Sequence, residues 1–174
     1  LREDDRRDLA ALWPGRAARP RYACVHAGAQ LPSRRWPPER FAAVADGLAR
    51  QGLQVVLTGG AAEAELVGAV AERLRAPAVS LVGRTSLWTL GALIEGAERV
   101  VCNDTGISHI AAALGCPSVV VSSGADVARW APLDGERHRV LWRDVPCRPC
   151  SHAVCPYAHE CARGVTVDEV LAAL

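Results

Sequence analysis

Short apolar runs alternating with longer amphipathic stretches constrain this chain more than any other feature of its sequence. The runs are Tyr22–His26, Leu53–Thr58, Val79–Val82, Val100–Cys102, Ser118–Ser122 and His138–Trp142. Each is apolar at most of its positions, the pattern of strands buried on both faces. Between them, Glu39–Arg50 sets Phe41, Val44, Ala45 and Leu48 on one helical face, opens after Trp36-Pro37-Pro38 and closes at Gly52. A second helix is expected over Ala61–Leu74, with Glu63 and Glu65 in its first turn. Ser86 caps a third running to Ile94. Thr105–Leu114 reads as a fourth, ended by Gly115, and Thr166 with Glu169 forms a capping box for the last. Asp126–Trp130 reads only as a short turn. This alternation predicts βαβ units, and hence an α/β fold with a doubly wound, Rossmann-like parallel sheet.

The length suits one domain of about 150 residues after a charged segment. Residues 1–21 read as a crossover helix and linker, and residues 22–174 as a ligand-binding domain with a cysteine-rich loop over 146–163. Twenty basic residues, all Arg, against 19 acidic ones leave the chain nearly neutral, so no nucleic-acid partner is expected. Methionine is absent even at position 1, the expectation for a piece of a longer protein. No run of about 18 apolar residues and no signal peptide are visible, which points to a soluble cytosolic domain. Cys24, Cys102 and Cys116 sit in apolar runs and read as small hydrophobes.

Parallel sheets bind ligands outside the carboxyl ends of their strands, so the loops there are where function is sought. The richest is Arg99–Gly115, where a buried strand turns into a helix. Asp104 is a good N-cap, Gly106 permits close backbone approach, and the helix start offers unpaired N–H groups to an anion. The dipole contributes only about 0.3–1 kcal/mol at an exposed site, so a phosphate there needs further partners. His109 lies one turn further on. Arg34, with Arg35, is a guanidinium suited to a diphosphate, and Glu63 at a helix start can accept two hydrogen bonds from a ribose diol. Each reading competes with a bland one: a capping Asp, a solvated Arg pair, a first-turn Glu. No Gly-x-Gly-x-x-Gly or Walker sequence is present.

Five spaced motifs resemble one family. His26-Ala27-Gly28, Arg34-Arg35-Trp36-Pro37, Gly59-Gly60-x-x-Glu63, Gly83-x-Thr85-Ser86-Leu87 and Asn103-Asp104-Thr105-Gly106-x-x-His109 are similar, in order, to the ADP-heptose:lipopolysaccharide heptosyltransferases of glycosyltransferase family 9. The resemblance implies the C-terminal, donor-binding half of a GT-B enzyme. It implies Arg34 at the donor diphosphate, where the family often has Lys, and Asp104 at the transferred sugar, these two being the catalytic candidates. Gly28, Glu63, Thr105, Gly106 and His109 would complete the nucleotide site. The implied chemistry is metal-independent inverting transfer, with no cofactor beyond the ADP-sugar donor. The implied partners are a lipopolysaccharide-core acceptor and the N-terminal acceptor domain, which supplies the general base. The implied location is the cytoplasm, with peripheral contact at the inner face of the inner membrane through the full-length enzyme.

Cys147-x-x-Cys150-x4-Cys155-x5-Cys161 places four thiols within 15 residues, interleaved with His152 and His159. Four such thiols can bind Zn tetrahedrally, but the spacing is not that of a standard finger, and paired disulfides or reduced packing thiols compete; the resemblance implies no catalytic metal. A GT-B-like UDP-sugar epimerase and a metal-binding regulatory module are the competing functions.

Overall fold

The computed structural model describes residues 1–18 and 21–174, so Arg19 and Pro20 of the expected linker lie outside the described residues. Six parallel strands, β1 (Tyr22–His26), β2 (Gln54–Leu57), β3 (Ala78–Ser80), β4 (Arg99–Asn103), β5 (Ser118–Ser122) and β6 (His138–Trp142), pair in the order β3-β2-β1-β4-β5-β6. The expected doubly wound α/β sheet is therefore present. Val25 pairs with Leu57 on one side and with Val101 on the other. The winding reverses between β1 and β4, which opens a crevice beyond their carboxyl ends.

Eight helices are described: α1 (Glu3–Leu12), α2 (Pro38–Arg50), α3 (Ala64–Ala71), α4 (Leu87–Glu95), α5 (Gly106–Ala113), and the shorter α6 (Val127–Trp130), α7 (Glu160–Arg163) and α8 (Val167–Ala172). They cover both faces, because successive strand residues point to opposite sides. Ala23, Val25, Val55, Leu57, Val101 and Val121 pack with Phe41, Val44 and Leu48 of α2 and Val170 of α8. Tyr22, Cys24, Val56, Val100, Cys102 and Val120 pack with Leu9 of α1, Leu93 of α4 and Ile107 of α5. Cys24 and Cys102 are fully buried in this second layer, and burial pushes their thiols well up. Cys116 is pushed up to about 11 for the same reason.

The second helix differs from expectation. It opens with a 3-10 turn, Ala61–Glu63, and α3 ends at Ala71, short of Leu74. The amides of Arg75 and Ala76 both donate to Asp46 Oδ1 of α2 at 3.0 Å, which fixes the chain in a turn where a helix would continue. The capping expectations at Ser86 and Thr166 hold: each hydroxyl accepts from the amide three residues on.

Candidate functional site

A cleft of about 390 Å³ lies where the winding reverses. Leu31 and Arg34 from the β1–α2 loop form one wall, and Asp104, Thr105, Gly106 and His109 from the β4–α5 junction form the floor. Ala125 and Trp130, beyond β5, close the far side.

One buried side chain sets this geometry. Asn103, the last residue of β4, accepts from the Trp36 amide at 2.9 Å and donates to the carbonyls of Ala27 (2.7 Å) and Gly28 (3.3 Å). It therefore ties the end of β4 to both the β1 exit and the start of α2. In the sequence it stands only as the first residue of the Asn103-Asp104-Thr105-Gly106 motif.

Asp104 does not cap α5, contrary to expectation. Its amide still donates to Val121 O at 3.1 Å, within the sheet. The capping position falls to Thr105, in extended conformation, whose side chain accepts no amide of the first turn, although its carbonyl accepts that of Ser108 at 2.9 Å. The Asp104 carboxylate instead accepts from Ser122 Oγ at 3.4 Å. Burial raises its pKa, opposed in turn by His109, the Ser122 hydroxyl, Arg34 and Arg148. Unlike α4 and α8, α5 thus presents its first amides to the cleft without a capping side chain, the arrangement that suits an anion.

Arg34 gives one donor to the Cys150 carbonyl at 2.6 Å, which fixes the guanidinium on the cleft wall while others of its five N–H donors remain for a ligand. The neighbouring Ser33 is held from the same side: its hydroxyl donates to His152 O at 2.6 Å and its amide to Ala153 O at 3.1 Å. Behind Asp104, Arg148 donates to Ser122 O at 2.6 Å and to Ala125 O, with its guanidinium 5.2 Å from the Trp142 ring centre. Its burial lowers its pKa.

Arg34, Asp104, Thr105, Gly106 and His109 are therefore brought together, while Gly28 and Glu63 do not line the cleft. They stand beside it at the ends of β1 and β2. Glu63 Oε2 accepts from the Gly60 amide at 2.8 Å and lies 3.8 Å from His26 Nε2. His26, buried and 3.0 Å from Thr58 Oγ1, has its pKa lowered by burial, with Glu63 opposing.

The late cysteines divide. Cys147, Cys155 and Cys161 line a separate pocket of about 350 Å³ with Tyr157. Cys150 packs instead on Gly124, whose carbonyl accepts its amide at 2.7 Å. A β-carbon on Gly124 would come within 2.7 Å of the Cys150 β-carbon. Among the described residues, no three His, Cys, Asp or Glu side chains are grouped to hold a metal ion.

Trp130 is a further residue of the cleft. It lines the cleft 48% exposed, with its ring 6.2 Å from that of His109. A lone aromatic before Ala131-Pro132 carries no periodic signal.

The family model for glycosyltransferase family 9 (heptosyltransferase) matches residues 1–160. Lipopolysaccharide heptosyltransferase 1 of Pseudomonas aeruginosa is 32% identical over 154 residues, covering 88% of this chain and 41% of that protein. The solved ADP-heptose lipopolysaccharide heptosyltransferase II of E. coli superposes with a TM-score of 0.83 at 25% identity, over 99% of this chain and 50% of that one. An E. coli heptosyltransferase solved with ADP gives 0.66 at 26% identity, over 86% and 42%. The chain thus spans about half the length of the relatives it matches. With the family pattern running through nearly all of it and the same fold beneath, this chain belongs to glycosyltransferase family 9, the heptosyltransferases.

Proposed function

We propose that this chain is the donor-binding half of an inverting heptosyltransferase, taking ADP-heptose or a related sugar nucleotide for transfer to a lipopolysaccharide-core acceptor. The observation that carries this reading is the cleft itself: a cation, an uncapped helix start and a carboxylate converge at the switch point of the sheet. The diphosphate lies across the α5 amides and Arg34. Asp104 takes hydroxyls of the sugar, and Glu63, on the β2 side, takes those of the ribose. His109 supports the phosphate end. A relative of similar fold was solved with ADP, which agrees with this choice of nucleotide.

In the proposed step an acceptor hydroxyl attacks the anomeric carbon as the bond to the phosphate oxygen breaks. Negative charge grows on the departing diphosphate, where Arg34 and preorganised amides stabilise it. In this step no metal or cofactor takes part. The acceptor site and its general base belong to a further domain, so the chain alone binds donor without transferring sugar. The full-length enzyme would work in the cytoplasm at the inner face of the inner membrane. Among the described residues no helix is long and apolar enough to cross a membrane.

Calorimetric titration of the chain with ADP, ADP-heptose and UDP, in buffer containing a chelator, tests this. The expected result is binding of both adenine nucleotides and at least about tenfold weaker binding of UDP. Preference for UDP would favour the epimerase instead, and binding of none would end the reading.

A further inference from the structure

We infer that Trp130 is the surface against which the transferred sugar of the donor lies, making it a residue that selects the sugar rather than the nucleotide. The inference rests on the donor-binding reading above and adds to it the direction in which the ligand runs. Across the rim the order is β2, β1, β4, β5. Glu63 stands at the β2 end, Arg34 and the α5 start in the middle, and Trp130 past β5. With the diphosphate at the centre and the ribose toward Glu63, only the far half of the donor reaches the β5 side.

The indole is suited to that place. It is held by ring contacts instead of burial: His109 at 6.2 Å in an edge-on arrangement, and the Arg129 guanidinium 5.0 Å from its centre. Its amide is fixed by Asp126 O at 3.1 Å. Even so, it remains 48% exposed and forms part of the cleft wall with Leu31 and Ala125. A large ring that is anchored yet half exposed on the cleft wall offers area to a ligand at little cost in side-chain entropy. A pyranose has one face of C–H groups and a rim of hydroxyls. Asp104, on the same cleft, meets the rim, and Trp130 meets the C–H face.

Titration of the wild-type chain, Trp130→Ala and Trp130→Phe with ADP and with ADP-heptose, alongside circular dichroism, tests the assignment. In Trp130→Ala, ADP-heptose should bind about tenfold or more weakly, while ADP stays within about twofold. Trp130→Phe, which keeps a ring, should retain most of the affinity for ADP-heptose. Equal weakening of both ligands in folded Trp130→Ala, or no change in ADP-heptose affinity, overturns the assignment. A wild-type chain that binds neither ligand removes the donor-domain reading and this inference together, an outcome distinct from either of those.

Discussion

The carboxylate of Glu63 fills the space that a β-carbon on Gly28 would take. The glycine after β1 is therefore required by a neighbouring side chain. Gly28→Ala must push the carboxylate aside and break its bond from the Gly60 amide. Affinity for ADP should fall about tenfold, as in Glu63→Ala, with little change in the urea midpoint because the displaced group is the flexible end of a half-buried side chain. Gly28→Ala binding ADP as the wild type does would mean that Glu63 takes no part in the site.

Asp104 is held in a place that disfavours its charge. Its folded pKa lies above the ordinary value through burial, so its contribution to stability is present at low pH and lost as pH rises through the folded value. At neutral pH Asp104→Asn removes that cost. The variant should melt at an equal or higher temperature while binding ADP-heptose about tenfold more weakly. Calorimetry under both heads checks the pairing of gain and loss.

Asn103→Ala should destabilise the fold by roughly 3 kcal/mol, since the Trp36 amide and two carbonyls lose their buried partner. Asn103→Asp should be worse, because a carboxylate has no N–H for Ala27 and Gly28 and faces their oxygens with its own. Urea denaturation of both variants measures this, and a smaller loss in Asn103→Asp would contradict it.

Two buried histidines make the fold sensitive to acid. Burial lowers the pKa of His26 and also that of His138, which sits 2.9 Å from Ser118 Oγ. Each group takes up its proton more readily unfolded than folded, so stability is complete above the ordinary histidine value and falls as pH drops toward the folded ones. The slope of stability against pH from about 7 to 5 should lessen in His138→Gln. An unchanged slope would remove His138 from the account.

Thiol labelling of the native chain should separate two classes. Cys147, Cys150 and Cys155 are partly exposed and should react first, whereas Cys24, Cys102, Cys116 and Cys161 are buried. Burial also holds the latter thiols protonated. Labelling of Cys24 or Cys102 at the rate of the loop thiols would show that the sheet opens readily.

What was legible in the chain depended on how far a signal reaches along it. Strand and helix periodicity is local, so the sheet and the rim that carries Arg34, Asp104 and His109 could be read directly. The cap of α5 was misplaced by one residue because Asp104 has the chemistry of a cap, while its amide is bonded to Val121. That long-range bond keeps it in the strand. Asn103 stands in a motif, but its bracing role is not legible because its partners lie 67 to 76 positions away. Trp130 was missed for a similar reason: its place in the cleft depends on His109 of another element.

The grip of the cysteine-rich segment on Ser33 and Arg34 has a consequence for the order in which this protein matures. A nascent chain can lay down β1 and the Arg34 loop early, yet Cys150, His152 and Ala153 emerge from the ribosome more than a hundred residues later. Until they do, the guanidinium has no anchor. The cleft wall at Arg34 is thus fastened by residues made long after it, and a product terminated before Cys150 would carry that wall unfastened.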